Sequence, residues 1–197
     1  RSTPVIPSAA SDVYKRQAIE KYANFYGVAC GEKNVLFTNN DSAYETAISL
    51  YQKGINVEAI IDNREETDSK LIKETEKNNI KVYKGYTVVD TYGYKRVNKV
   101  SIMQLSKDGQ KAIGSKISIS CDCLGISGGW TPAVHLFTQS GGKLKFRDED
   151  QVFIPNIYPS DQISIGSCNG DFTLDEILST VPKTLKEFLN LKKIDYE

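Results

Sequence analysis

The sequence is short of the residues that most often do chemistry. It has one histidine (His135), one methionine, one tryptophan (Trp130) and four cysteines in 197 residues. A single histidine without an acidic or nucleophilic neighbour in a motif gives no triad and no histidine metal cluster. We read His135 as structural or superficial. Cys30, Cys121, Cys123 and Cys168 hold no second pair at metal-ligand or dithiol spacing, which argues against zinc and against disulfide-reductase chemistry. Cys121 and Cys123 lie two apart in a strand-like run, so they are expected on one sheet face as free thiols. Excess charge of one sign is also missing: Lys+Arg and Asp+Glu both total 25. Nothing is left over to neutralise phosphates, so nucleic acid is not expected as a partner. No apolar run reaches membrane-spanning length and no secretory signal is present, so neither a membrane nor export is expected, and a cytoplasmic location is.

What is present is an ordinary globular composition, 40% hydrophobic and 25% charged. The first seventeen residues stand apart. SAASDVYKRQ resembles a translated adapter at the broken end of a gene model. Residues 1–17 are therefore expected to lie outside the fold, in a chain that is a fragment.

From Ala18 the pattern is regular. AIEKYANFYGV carries a helical apolar stripe, and residues 18–33 are read as a helix and linker. NVLF is a short buried strand. A helix follows, capped by Asp41 or Ser42, with Ala43, Ala47, Leu50 and Tyr51 inward and Gly54 as its stop. Val57 to Ile61 is a second strand, Asp68 to Asn79 a helix, and Lys81 to Tyr86 a third strand. This β-α-β-α-β order predicts a Rossmann-like domain with a parallel sheet.

The period then changes to two. VNKVSIMQL and KISISCDCL read as antiparallel strands around Asp108-Gly109, a meander completing a domain over 34–125. GISGGW and a glycine-bearing loop region follow. Gln162 to Ile165 is a late strand, SCNGDF a turn, and Asp175 to Leu189 a closing amphipathic helix that Pro182 kinks or splits.

The first strand ends in TNNDSA where a dinucleotide fingerprint has GxGxxG or GxGxxA. Thr38 takes the first glycine place, Asn40 the second and Ala43 the third. The second glycine lets pyrophosphate approach the backbone. Asn40 puts a side chain there, so a retained fold with a filled site is expected. Asp62, at the ribose-acid position, is then a strand-end turn residue.

The order of elements resembles the pyridine nucleotide-disulfide oxidoreductases, in which an inner dinucleotide domain is inserted in an outer one. NFYGVACGEKNVLFTNNDSAYE, LGISGGWTPAVHLFTQSGGKLKF and ISIGSCNGDFTLDEIL are similar to the alpha subunits of heterotetrameric sarcosine oxidase and to large subunits of opine and amino-acid dehydrogenase complexes. The resemblance implies that 126–197 is the carboxyl-terminal part of an outer FAD/NAD(P)-binding domain. It implies oxidative demethylation of sarcosine to glycine, with one-carbon transfer to tetrahydrofolate and release of hydrogen peroxide. The implied partners are beta, gamma and delta subunits, with the flavin on beta. Bound NAD, rather than FAD, is implied in the full-length alpha subunit. Its candidate contacts are Ser127, Gly128 and Gly129, and Gly166, Ser167, Cys168, Asn169 and Gly170. Ser167 stands where flavin-binding members carry the aspartate that binds a ribityl hydroxyl, which favours NAD. No catalytic residue is expected in the chain, and the alternative to a cofactor domain is a scaffold that binds none.

Overall fold

The computed structural model describes residues 13–67, 70–148, 152–159 and 162–191. The chain divides into two compact units, the first ending at Gly129 and the second starting at Trp130.

The first unit is built on a five-stranded parallel sheet. β1 (Val13–Lys15), β2 (Asn34–Thr38), β3 (Val57–Asp62), β4 (Lys81–Lys84) and β8 (Cys123–Ser127) stand in the order β1-β8-β2-β3-β4. Between β4 and β8 runs a separate antiparallel sheet of β5 (Tyr86–Gly93), β6 (Val97–Leu105) and β7 (Ala112–Ser120). Adjacent residues of one strand feed opposite layers, as the period of two demands. Leu36, Ile60 and Cys123 join a core with α1 (Arg16–Phe25), α2 (Ser42–Gln52) and α3 (Lys70–Lys77). Val35, Ile61 and Leu124 join a second core with Val88, Val100 and Ile102 of the meander. The sheet is covered on both faces, which is why its strands read as continuous apolar runs.

Several expectations are corrected here. Residues 13–17 are part of the fold. β1 pairs in parallel with β8, Val13 opposite Leu124, and occupies the edge that β8 would otherwise leave unpaired. Arg16 is buried and donates to Glu20 Oε2 at 2.7 Å and to Thr46 Oγ1 at 2.8 Å. Residues 1–12 lie outside the described residues.

The run KISISCDCL is not one strand. β7 ends at Ser120, and Cys123 opens β8 in the other sheet. Asp122 makes the break: its carboxylate accepts from the N–H groups of Glu32 at 3.0 Å and Lys33 at 2.7 Å. Cys121 and Cys123 therefore enter different cores, both as free thiols. With β8 in the parallel sheet, the first unit runs past 125 to Gly129 and takes in the 18–33 segment. On α2, Tyr44 is fully buried, while Tyr51 is 46% exposed.

The second unit contains a hairpin that the sequence reading left as loop: β9 (Lys143–Arg147) paired antiparallel with β10 (Val152–Ile157). It also holds a one-turn helix, α4 (His135–Gln139), and α5 (Leu174–Leu191). α5 continues through Pro182 as one helix, so that residue does not split it. Residues 162–165 are extended chain outside any sheet.

Candidate functional site

In an open α/β sheet, ligands bind outside the carboxyl ends of the strands, where the strand order reverses. Here that point lies between β2 and β8, with Thr38 paired to Ser127. The chain closes it with its own side chains. Asn40 Nδ2 donates to the Ser127 hydroxyl at 3.1 Å and carbonyl at 3.3 Å. Asn40 Oδ1 accepts the Ser42 N–H at 3.2 Å and also the Ser42 hydroxyl. The Thr38 hydroxyl donates to the Asn40 carbonyl at 2.8 Å and accepts its N–H at 3.1 Å. A phosphate at a helix N-terminus would need that freed N–H. The Asn40 amide supplies an acceptor for the Ser42 N–H instead; Asp41 stands at the N-cap position of α2, one of the two caps read from the sequence, but its side chain makes no capping hydrogen bond.

The ribose-acid position is equally occupied. Asp62 is fully buried. It accepts from Tyr44 Oη at 2.8 Å, and from Arg64 Nη2 at 2.8 Å, Nε at 3.1 Å and N–H at 2.9 Å. Arg64 also reaches Asp41 at 2.7 Å. Asp62 is thus the centre of a buried polar network, more than a turn residue. Hydrogen bonding to Asp62 holds the guanidinium of Arg64 firmly charged, and burial together with Asp62 pushes the Tyr44 hydroxyl well above its ordinary range. Sequence reasoning missed Tyr44 and Arg64. The signals available were a tyrosine on an apolar helix face, whose hydroxyl needs a partner, and an arginine two residues beyond a strand-end aspartate. The second fingerprint position and the ribose-acid position are thus both engaged by the chain's own side chains.

The Ser127–Gly129 turn borders this crevice. Ser127 is buried and committed to Asn40, while the Asn39 amide donates to the Gly128 carbonyl at 3.4 Å. A Cβ at Gly128 would meet nothing within 4 Å, so the absence of a side chain there has no packing reason. Gly129 has φ +94°, and a Cβ there would stand 3.5 Å from Asn39 Oδ1. Beside the turn lies a cleft of about 620 Å³.

The Gly166–Gly170 turn belongs to the second unit. It is a 3-10 turn from Gly166 to Asn169, closed by the Gly170 N–H to Ser167 O at 3.3 Å and the Asp171 N–H to Gly166 O at 3.2 Å. Gly170 has φ +88°, and a Cβ there would stand 2.8 Å from Arg147 Nη2 and 3.0 Å from Ile154 Cγ2. Arg147 donates to its carbonyl at 3.0 Å. Glycine at 170 is thus explained by packing. The first N–H groups leading into α5 are also taken: those of Phe172 and Thr173 donate to Glu176 Oε2 at 3.1 and 3.0 Å, and Thr173 Oγ1 answers to the Glu176 N–H. Cys168 Sγ lies 2.9 Å from Ile165 O.

His135, Trp130 and Tyr92 have local surroundings. His135 is exposed. Trp130 sits 6.3 Å from Phe172 in a tilted pair. Tyr92 lies under Lys99 Nζ at 4.3 Å. Among the described residues no group of three or more His, Cys, Asp or Glu could hold a metal, and no helix is long and apolar enough to cross a membrane.

Comparison with known proteins matches this architecture. No family model matches the chain. The sarcosine oxidase alpha subunit of Corynebacterium sp. strain P-1 is 33% identical over 165 residues, covering 83% of this chain and 17% of that protein. The alpha subunit of Corynebacterium sp. strain U-96 is 29% identical over 163 residues, with the same coverage. The chain is a relative of one segment of sarcosine oxidase alpha subunits. It spans about a sixth of the length of those relatives. The alpha-subunit segment shares its fold with T. acidophilum thioredoxin reductase, at TM-score 0.56 and 18% identity, over 93% of this chain and 62% of that one. It is a Rossmann-like α/β structure with a parallel core sheet and accompanying antiparallel sheets.

Proposed function

We propose that this chain is the dinucleotide-domain segment of a sarcosine oxidase-like alpha subunit, and that the β2–β8 crevice of its first unit is closed to a nucleotide. The observation that carries the second half is the Asn40 amide, bonded to both Ser42 and Ser127 where a pyrophosphate would lie. The first half rests on the similarity to the two curated alpha subunits. The whole protein, with beta, gamma and delta subunits, would oxidise the N-methyl group of sarcosine. Glycine is released, tetrahydrofolate takes up the one-carbon unit, and oxygen is reduced to hydrogen peroxide at a flavin on the beta subunit. NAD would be held by the full-length alpha subunit outside the β2–β8 crevice. Among the turns singled out for it, Ser127–Gly129 fits best, because Gly128 offers bare backbone with no neighbour to exclude. The Gly166–Gly170 turn uses its own closing donors and fits a structural role.

The test has two parts. The full-length subunit assembled with its partners should produce hydrogen peroxide on addition of sarcosine and should release NAD on denaturation. The 197-residue chain, titrated calorimetrically, should take up neither NAD nor FAD at micromolar concentration. Sarcosine-independent turnover by the assembled complex would refute the assignment to this oxidase. Micromolar NAD binding by the chain alone would refute the filled shell.

A further inference from the structure

The closed crevice leaves a cavity beside it, bordered on one side by the Ser127–Gly128 backbone. It opens between the carboxyl ends of β2, β3 and β8 and the β6–β7 turn, and holds about 620 Å³. That lies within the size range of small-molecule sites. Its apolar wall comes from Phe37, Leu105 and Ile126, each only half-buried, although Val35 and Leu36 on the strand of Phe37 and Leu124 on that of Ile126 are fully buried. Thr38, Asn39, Thr87 and Ser127 also line it, all but Thr87 already hydrogen-bonded; its remaining polar side chains are Asn63, Gln110 and Lys111. Among the described residues the side chains of these three have no hydrogen-bond partner. No aspartate or glutamate lines the cavity. Asp108, in the same turn, spends its carboxylate on the Ser106 hydroxyl and the Gln110 N–H.

We infer that this cleft binds a small organic monoanion with a flat apolar body, of the aromatic carboxylate class. The flat body fits against Phe37, Leu105 and Ile126. One ammonium, Lys111, matches one negative charge, and the two amides of Asn63 and Gln110 can each donate to a carboxylate or accept from a ring N–H. Polyanions do not suit it: a single lysine cannot neutralise a pyrophosphate, and at the helix N-terminus that would assist, the Ser42 N–H is taken by Asn40. The site is therefore distinct in chemistry from the dinucleotide crevice, and the inference stands whether or not the oxidase assignment does.

Indole-3-carboxylate and its neutral isostere indole-3-carboxamide separate the charge from the shape. Both are titrated calorimetrically into the 197-residue chain. The carboxylate should bind saturably, one per chain, and about tenfold tighter than the carboxamide. Lys111→Gln, at an exposed turn position, should abolish that preference while leaving the carboxamide unchanged. Leu105→Trp should abolish both by filling the cavity, with the circular dichroism spectrum confirming a folded protein; if that variant does not fold, Gln110→Trp takes its place. Absence of saturable binding, equal affinity for the two probes, or a carboxylate preference that survives Lys111→Gln would each overturn the inference. NAD titrated alongside reports on the filled shell separately.

Discussion

Tyr44 donates its hydroxyl to Asp62 at 2.8 Å, with both side chains fully buried, one from the first helix of the βαβ unit and one from the end of its second strand. The acid that a dinucleotide domain would offer to a ribose is held here by the protein's own phenol and guanidinium. Tyr44→Phe removes one hydrogen bond and leaves Asp62 with Arg64, at a cost of about 1 kcal/mol. Asp62→Ala strands the Tyr44 hydroxyl and loosens Arg64, which is a third exposed; the expected loss is about 2–3 kcal/mol. Urea denaturation midpoints measure both, and equal losses would show that Asp62 is not the hub.

Asn40→Ala should cost about 1–2 kcal/mol, because it removes both the acceptor for the Ser42 N–H at the start of α2 and the bridge to Ser127. The readout is chemical denaturation, with amide hydrogen exchange at Ser42 rising relative to the middle of α2. A variant as stable as the parent would mean that the amide only fills space.

How much of this was legible in the sequence depends on the distance over which each feature is decided. The βαβαβ order was legible, because buried strands and capped helices are written in adjacent residues. So was the presence of side chains at the first two glycine positions, since Thr38 and Asn40 stand in the fingerprint itself. The partners of those residues were not. Ser127 meets Asn40 across 87 positions, and Asp122 breaks the apparent strand KISISCDCL by reaching back to Glu32 and Lys33. The β9–β10 hairpin was missed for another reason: residues such as Phe146 and Phe153 stay exposed, so apolar content and burial part company there.

The two glycine turns should respond oppositely to a methyl group. Gly170→Ala places a Cβ against Arg147 and Ile154 at positive φ, and should destabilise by about 2–3 kcal/mol. Gly128→Ala meets nothing, and should stay within about 0.5 kcal/mol of the parent. Thermal denaturation distinguishes them. If Gly128→Ala also lowers NAD content in the full-length subunit, the loss is one of binding and not of folding.

Deleting residues 1–17 removes β1 from the edge of β8 and Arg16 from its buried bonds to Glu20 and Thr46. A loss above about 1 kcal/mol in the denaturant-derived stability is expected. An unchanged midpoint would return these residues to the status of a tail.

Burial pushes the Cys121 thiol up from 9.0 to about 12. A raised value means that the folded state keeps its proton while the unfolded chain loses it, so the stabilisation is complete below pH 9 and is lost as pH rises toward 12. Stability should fall across that window, and Cys121→Ala should fall less steeply. Parallel slopes for the two proteins, from urea titrations at pH 8 to 11, would exclude this thiol as a contributor.

β8 is an inner strand of the parallel sheet, yet it is the last of the five to be made, 85 residues after its neighbour β2. A chain emerging from the ribosome must therefore complete the meander before the gap between β1 and β2 can close. Until Ser127 is out, β2 presents a bare row of peptide groups flanked by Leu36 and Val35, the surface on which foreign strands nucleate aggregates. The long loop that β8 must close also makes its insertion slow. Slower translation over residues 86–127 should therefore lower soluble yield, and chaperone protection during that interval should restore it.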